Sequence, residues 1–271
     1  MPTASVEPRL LATVRSVEWR TRRVLGAVRF EDRATRDPVS ARLQVRIPGV
    51  EVSWNLSGLA VLVRARGLEP HTEAFRAVPG DPPPESLAFT GTVEDPAGGY
   101  LPRSFSVRLP RDPDPNRHED PHSLFQPVSV ALFPAPSAGT AHPLWSRIRV
   151  SLARSVDGEE EPLSGALVRI TDAAGDVLLG SGLTDARGEG IVFLPGIPPA
   201  RSSEGGNGDE EEPVVVYELP ARIQVVWEPP GEAPPDPDHL ETAREDLVRS
   251  DDPISLKAGR TERFRKTLTM T

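Results

Sequence analysis

Asp114, His118, Glu119, Asp120 and His122 fall within nine residues, a set of potential metal ligands. Imidazole nitrogens four apart with carboxylates beside them could hold a divalent cation if a helix turned both rings to one face. Pro115 and Pro121 oppose that helix, because a proline ring has no N–H to donate and clashes with the preceding turn. The stretch therefore reads as a solvated loop without a metal. Serine chemistry needs a hydroxyl, a base and an orienting acid, with the serine on a sharp turn. No Gly-x-Ser-x-Gly stretch exists, and His71, His142 and His239 sit in polar or proline-rich surroundings. Glu159–Glu161 and Asp209–Glu212 are charge runs, which suit solvation better than a poised acid and base. The glycine-rich pieces Gly180-Ser181-Gly182 and Gly205-Gly206-Asn207-Gly208 do not join a strand to a helix and lack the lysine of a phosphate loop. Asn55-Leu56-Ser57 matches a glycosylation acceptor, but no secretion signal is recognisable ahead of it. The expectation is a protein that is not an enzyme, with no catalytic, cofactor-binding or metal-binding residue and no cofactor.

Two further sets of side chains suit contacts rather than catalysis. Trp19, Trp54, Trp145 and Trp227 could form a sugar-stacking platform, yet they are spread over both halves and flanked by apolar strands, which favours core or interface packing. Arg15, Arg20, Arg22 and Arg23 make a basic patch near the N-terminus. It is either a solvated strand face or an electrostatic contact with an acidic neighbour.

The elements around these residues are strands. The chain has 271 residues and a formal net charge of −9, with 31 prolines and 22 glycines beside a hydrophobic share of 37%. That is too apolar for disorder and too proline-rich for a helical protein. The acidic balance argues against nucleic acid and anionic membranes as partners. No run is long enough to span a membrane as a helix, and with no cysteine there is no disulfide or thiolate chemistry. Only two of the cationic residues are lysine, Lys257 and Lys266, a bias that reads as genome composition rather than chemistry.

Period-two alternation and short apolar runs predict strands over 10–18, 24–30, 43–47, 59–63, 75–78, 87–93, 104–109 and 124–133. Turn residues such as Pro48-Gly49, Asp95-Pro96 and Gly98-Gly99 separate them. Residues 110–121 have four prolines and no apolar residue, and read as an exposed loop able to bury nothing. Residues 134–143 read as a hinge. Beyond it, strands are predicted over 148–152, 166–171, 177–179, 191–194, 214–219 and 222–227, with an acidic loop over 201–213, one short helix over 240–249 and a closing hairpin or long final strand over 255–270. The fold class is all-β: two immunoglobulin- or transthyretin-like antiparallel sandwiches over 1–134 and 146–271, joined by a proline-rich linker over 135–145. The halves also echo each other. Val45-Arg46-Ile47 and Val168-Arg169-Ile170 stand 123 residues apart, and Ser57–Leu62 parallels Arg187–Leu194, as duplicated domains would.

The second half resembles the carboxypeptidase-regulatory-like, or transthyretin-like, β-sandwich family. The likeness lies in Glu161-Pro162-Leu163-Ser164-Gly165-Ala166-Leu167-Val168, Gly182-Leu183-Thr184-Asp185-Ala186-Arg187-Gly188-Glu189-Gly190, Leu194-Pro195-Gly196-Ile197-Pro198 and Ser255-Leu256-Lys257-Ala258-Gly259. These are turn rules that specify a fold and no activity: the Thr-Asp-x-x-Gly corner needs a side-chain acceptor and a glycine free to take positive φ. A second resemblance bears on function. Residues 94–111 (EDPAGGYLPRSFSVRLPR) and 132–136 (LFPAP), followed by a transthyretin-like module, are similar to two-domain proteins encoded beside the tail-sheath and tail-tube proteins of contractile injection systems. It implies a structural subunit of such a phage-tail-like particle, in its baseplate, cap or an adaptor, assembled in the cytoplasm in several copies against tube, sheath, baseplate or cap proteins. The alternative is a sandwich module that binds carbohydrate or a surface ligand.

Overall fold

The computed structural model describes residues 24–69, 71, 85–138, 145–197 and 218–269, and they form two β-sandwiches. In the first, β1 (Gly26–Asp32), β3 (Val50–Trp54), β4 (Ala60–Ala65) and β7 (Val128–Leu132) make one sheet in the order β3-β4-β1-β7. It faces a second sheet, β2-β5-β6, of β2 (Gln44–Arg46), β5 (Leu87–Glu94) and β6 (Arg103–Leu109). Alternation explains the core. Val28 and Phe30 of β1, Leu62 of β4 and Val130 and Leu132 of β7 point inward to meet Val93 of β5 and Phe105, Val107 and Leu109 of β6. Phe30 meets Phe105 edge-on at 5.9 Å.

The second sandwich repeats the plan. β8 (Ser146–Val156) pairs with β12 (Glu189–Leu194) and β15 (Thr261–Thr269), and β9 (Glu159–Pro162) pairs with the far end of β8. The facing sheet runs β11-β10-β13-β14, from β10 (Leu167–Asp172), β11 (Leu178–Leu183), β13 (Glu218–Val226) and β14 (Val248–Lys257). Its core joins Ile148, Val150 and Leu152 of β8 to Val168 and Ile170 of β10 and Ile223 and Val225 of β13.

In each sandwich the first strand lies parallel to the last, β1 with β7 and β8 with β15, and antiparallel to a strand on its other side, β4 and β12 respectively; β8 alone also pairs antiparallel with β9. The second sheet builds β2-β5-β6 in one and β10-β13-β14 in the other. The sequence echo at Val45 and Val168 therefore falls on β2 and β10, equivalent positions in the two pairing orders. The sandwiches differ in one hairpin, since β3 extends the first sheet while β11 extends the second.

The corner from Thr184 to Gly188 works as its residue types require. Asp185 Oδ1 accepts the backbone N–H groups of Arg187 at 2.8 Å and Glu189 at 3.0 Å, and Gly188 has φ +72°. Thr184, 3% exposed, donates to the Leu163 carbonyl at 2.6 Å and accepts the Ala166 N–H at 2.8 Å. Thr184→Val keeps the shape and strands both partners, so a loss of about 1–3 kcal/mol is expected. Urea denaturation checks it, the expected outcome being a lower midpoint at unchanged slope.

Several expectations are corrected. Residues 255–270 are neither a hairpin nor one long strand: β14 belongs to one sheet and β15 to the other, and the Ala258-Gly259 turn carries the chain across the sandwich. The helix starts earlier than 240 and stops earlier than 249. It comprises α1 (Pro237–Thr242), capped by the Asp236 carboxylate, and α2 (Arg244–Leu247), after which β14 begins. Pro253 does not end the chain's extended course, because β14 is an edge strand where a missing N–H is tolerated. The two strands expected around Pro220 are one, β13; β10 ends opposite Ala221, so the proline leaves no ladder donor missing on that side. β3 and β9 were not foreseen. Residues 110–121 do bury something: Arg111 is 8% exposed and donates to the Ser123 carbonyl at 2.9 Å, although residues 115–122 are exposed. The strand expected over 124–133 is only β7, five residues at its end. The strands over 10–18 and 75–78, the acidic loop over 201–213 and the start of the 214–219 strand lie outside the described residues.

Candidate interaction site

The structure places the residues that the sequence singled out as follows. His118 and His122 are exposed on the 110–127 loop. Asp114 spends its carboxylate on the Asn116 N–H and Arg117, which hold its pKa below the usual range. Among the described residues no group of three or more histidine, aspartate and glutamate side chains is arranged to hold a metal. In the Gly180-Ser181-Gly182 stretch, the Ser181 hydroxyl accepts from Arg33 Nε at 2.7 Å. Glu159–Glu161 are exposed on β9, with Glu161 paired to Arg154 at 2.6 Å. Among the described residues, Trp54 and Trp227 lie on different sandwiches. Trp227 is core, 4% exposed, with Nε1 donating to the Ser164 carbonyl at 2.9 Å and Arg154 over its ring at 5.4 Å. Trp54, 44% exposed, tilts against Phe30 with centroids 6.1 Å apart. Trp19 and Arg15, Arg20, Arg22 and Arg23 lie outside the described residues.

The most heavily built polar site is the joint between the sandwiches. Its apolar part gathers Phe133 from the end of the first sandwich with Leu167, Leu183, Val226 and Leu240 of the second. The stretch expected to hinge, 134–143, begins with three buried residues, Pro134 to Pro136, directly after Phe133, and Ala135 N–H donates to the Gly99 carbonyl. Residues 139–144 of the expected linker lie outside the described set.

Around that apolar plug sits an ionic one. Arg103, at the start of β6, is fully buried. Nε donates to the Ser104 carbonyl at 3.0 Å and Nη1 to the Ala131 carbonyl at 2.7 Å. Nη2 reaches the second sandwich, 2.5 Å from Asp238 and 3.5 Å from Asp236. Beside it, Ser104 binds the proline segment twice, backbone N–H to the Pro235 carbonyl at 2.8 Å and hydroxyl to the Pro234 carbonyl at 2.7 Å. β6 is an edge strand, so this segment also covers its free backbone. Arg169 of β10 pairs with Glu241 at 2.8 Å and donates to Gln224. Burial lowers the pKa of the Arg33 guanidinium, while Glu241 and Asp238 raise it. Two arginines, Arg103 and Arg169, thus pair with three carboxylates carried by α1 and its cap, and Arg33 lies within their field. A planar guanidinium with five fixed donors suits such a joint, because it fixes orientation as well as charge.

A cleft of about 440 Å³ opens beside the joint, lined by Asp32, Thr35, Asp37 and Tyr100 of the first sandwich and Phe193 of the second. Tyr100 donates to Asp32 at 2.9 Å. Burial, then that carboxylate, pushes the phenol's pKa up, so the proton stays on oxygen.

Sequence reasoning missed Arg103 as a functional residue, though a signal was present. The two stretches noted at 94–111 and 132–136 are neighbours in space: Leu101 N–H donates to the Phe133 carbonyl and Ala135 N–H to the Gly99 carbonyl, each at 2.9 Å.

No family model matches the chain, and no curated protein matches it. Among solved structures, the minor pilin GBS52 of Streptococcus agalactiae is similar at 8% identity and TM-score 0.28, over 81% of this chain and 67% of that one. The Bacillus anthracis TIE protein is similar at 10% identity and TM-score 0.27, over 92% of this chain and 34% of its own. BcpA, the major pilin subunit of Bacillus cereus, is similar at 12% identity and TM-score 0.25, over 86% and 56%. The chain spans about a third of the TIE protein and little over half of BcpA. From its own topology, two cores each enclosed between two facing sheets, the chain has an all-β sandwich fold over the described residues.

Proposed function

We propose that the chain is a non-enzymatic structural subunit of a phage-tail-like contractile injection particle, in its baseplate, cap or an adaptor between them, assembled in the cytoplasm and present in several copies. The observation that carries this reading is the joint: Arg103, Ser104, Phe133 and α1 fix two sandwiches against each other with buried ionic and apolar contacts. A protein that works by holding neighbours in register needs such a fixed angle. The stretches that resemble injection-system proteins, 94–111 and 132–136, are the ones that build the joint's first half. The test is affinity capture of the tagged chain from its native host, with mass spectrometry and negative-stain microscopy of the eluate. Rods containing tube and sheath proteins at fixed stoichiometry are expected. A monomer without them overturns the reading.

A second reading, a carbohydrate- or surface-ligand-binding module, is favoured by the cleft, where Tyr100 and Phe193 offer rings beside the carboxylates Asp32 and Asp37. A glycan that raised the thermal midpoint of the isolated chain would support it.

A further inference from the structure

β15 is the last strand in its sheet order, so among the described residues its outer backbone edge pairs with no strand. Its alternation puts Thr261, Arg263, Arg265, Thr267 and Thr269 outward. In the parallel register Arg263 lies beside Arg149 and Thr261 beside Arg147, so four arginines share one exposed face of the second sandwich. They have few partners. Arg147 donates to Thr261 Oγ1 at 2.5 Å and Arg149 to the Pro136 carbonyl at 3.1 Å. Arg265, its side chain 81% exposed, approaches Glu160 only to 4.0 Å. The Arg263 side chain makes no hydrogen bond or ion pair among the described residues. The other acid on this face, Glu189 across from Ser151, is paired with Arg187 at 3.2 Å. Four cations with two carboxylates, one distant and one paired elsewhere, stand out in a chain of net charge −9.

The edge is selective as well as open. Two copies of β15 brought edge to edge would set arginine close to arginine, which destabilises cross-strand pairing and guards against self-association. A strand carrying carboxylates at every second position would make the same ladder with attraction instead. We infer that the β15 edge and its arginine face dock an acidic, extended segment of a neighbouring, different subunit, which adds to the sheet and pairs its carboxylates with Arg263 and Arg265. The inference rests on the subunit reading, and supplies the partner chemistry of one contact.

The test uses the full chain at low salt, with hydrogen exchange of the β15 amides as readout. The probes are a short synthetic peptide alternating glutamate and valine, its lysine–valine counterpart, and a double-stranded DNA oligomer. The glutamate peptide is expected to protect alternate β15 amides, with protection that fades as salt screens the charges. R263E/R265E changes two exposed side chains, leaves the core intact, and is expected to weaken the glutamate peptide by about tenfold or more while gaining the lysine peptide. Absence of protection, equal protection by both peptides on the native chain, or tighter binding of the DNA overturns the inference. In the host the two ideas separate: if the native chain enters particles and R263E/R265E enters equally well, the docking edge is wrong and the subunit reading stands. If the native chain is never captured with a particle, the subunit reading falls whatever the peptide does.

Discussion

Arg103→Ala is expected to split the unfolding of this protein into two calorimetric transitions. The guanidinium is fully buried and serves the Ser104 and Ala131 carbonyls on its own sandwich and Asp236 and Asp238 on the other. Breaking a buried pair from one side typically costs about 3–5 kcal/mol. Here the loss should be smaller, about 2–4 kcal/mol, because the Asp236 and Asp238 side chains are 26% and 67% exposed and recover water. The carbonyls of Ser104 and Ala131 lose their donor as well. With the ionic half of the joint gone, each sandwich keeps its own core and should melt on its own, so that two-state behaviour fails. Asp238→Asn, acting on the more exposed partner, should cost less than about 1 kcal/mol and leave one transition. A single transition in Arg103→Ala at an unchanged midpoint would show that the residue does not couple the sandwiches.

Gly188→Ala carries the other large effect. Gly188 has φ +72°, and a Cβ there would stand 2.1 Å from the Leu152 carbonyl oxygen and 3.0 Å from the Leu163 nitrogen. Both neighbours are backbone and are already tied: Leu163 N–H donates to Leu152 O at 3.0 Å, and Leu152 N–H donates to Gly188 O at 2.8 Å. No side-chain rotation relieves the clash, so β8 or the corner must move. Positive φ alone costs a residue with a Cβ about 1–2 kcal/mol, and with the displaced backbone we expect at least about 3 kcal/mol. Gly98→Ala separates the two causes. Gly98 has φ +73° and nothing within 4 Å of a built Cβ, so only the conformational cost of about 1–2 kcal/mol should appear. Urea midpoints of the two variants, side by side, check both figures.

The contrast between these residues shows what a sequence can carry. The corner at Gly188 was legible because its chemistry is local: a side-chain acceptor at Asp185, and a glycine three residues on. The strand-rich class and the 123-residue echo were legible because alternation repeats along the chain, and the echo lands on equivalent strands. Arg103 was not, since its partner Asp238 lies 135 residues away and an arginine in a strand pattern reads as a solvated one. β14 and β15 were read as a hairpin or one long strand because a turn signal marks where a chain bends and not which sheet it joins next. β9 was hidden because all four of its residues are exposed, so no alternation marks it. The linker looked free because proline and small residues dominate it, while Phe133 at its start was counted with the preceding strand.

A chain with no cysteine can be labelled at chosen sites without removing any native residue. Ser106 on β6 and Ser151 on β8 are exposed and lie on different sandwiches. With Ser106→Cys and Ser151→Cys carrying spin labels, the distance distribution measured by pulsed electron resonance reports the angle between the sandwiches directly. A single narrow distance, broadened when Arg103→Ala is added, is the expected result. A broad or multiple distribution in the chain with Arg103 intact would contradict the claim that two sandwiches act as one rigid body.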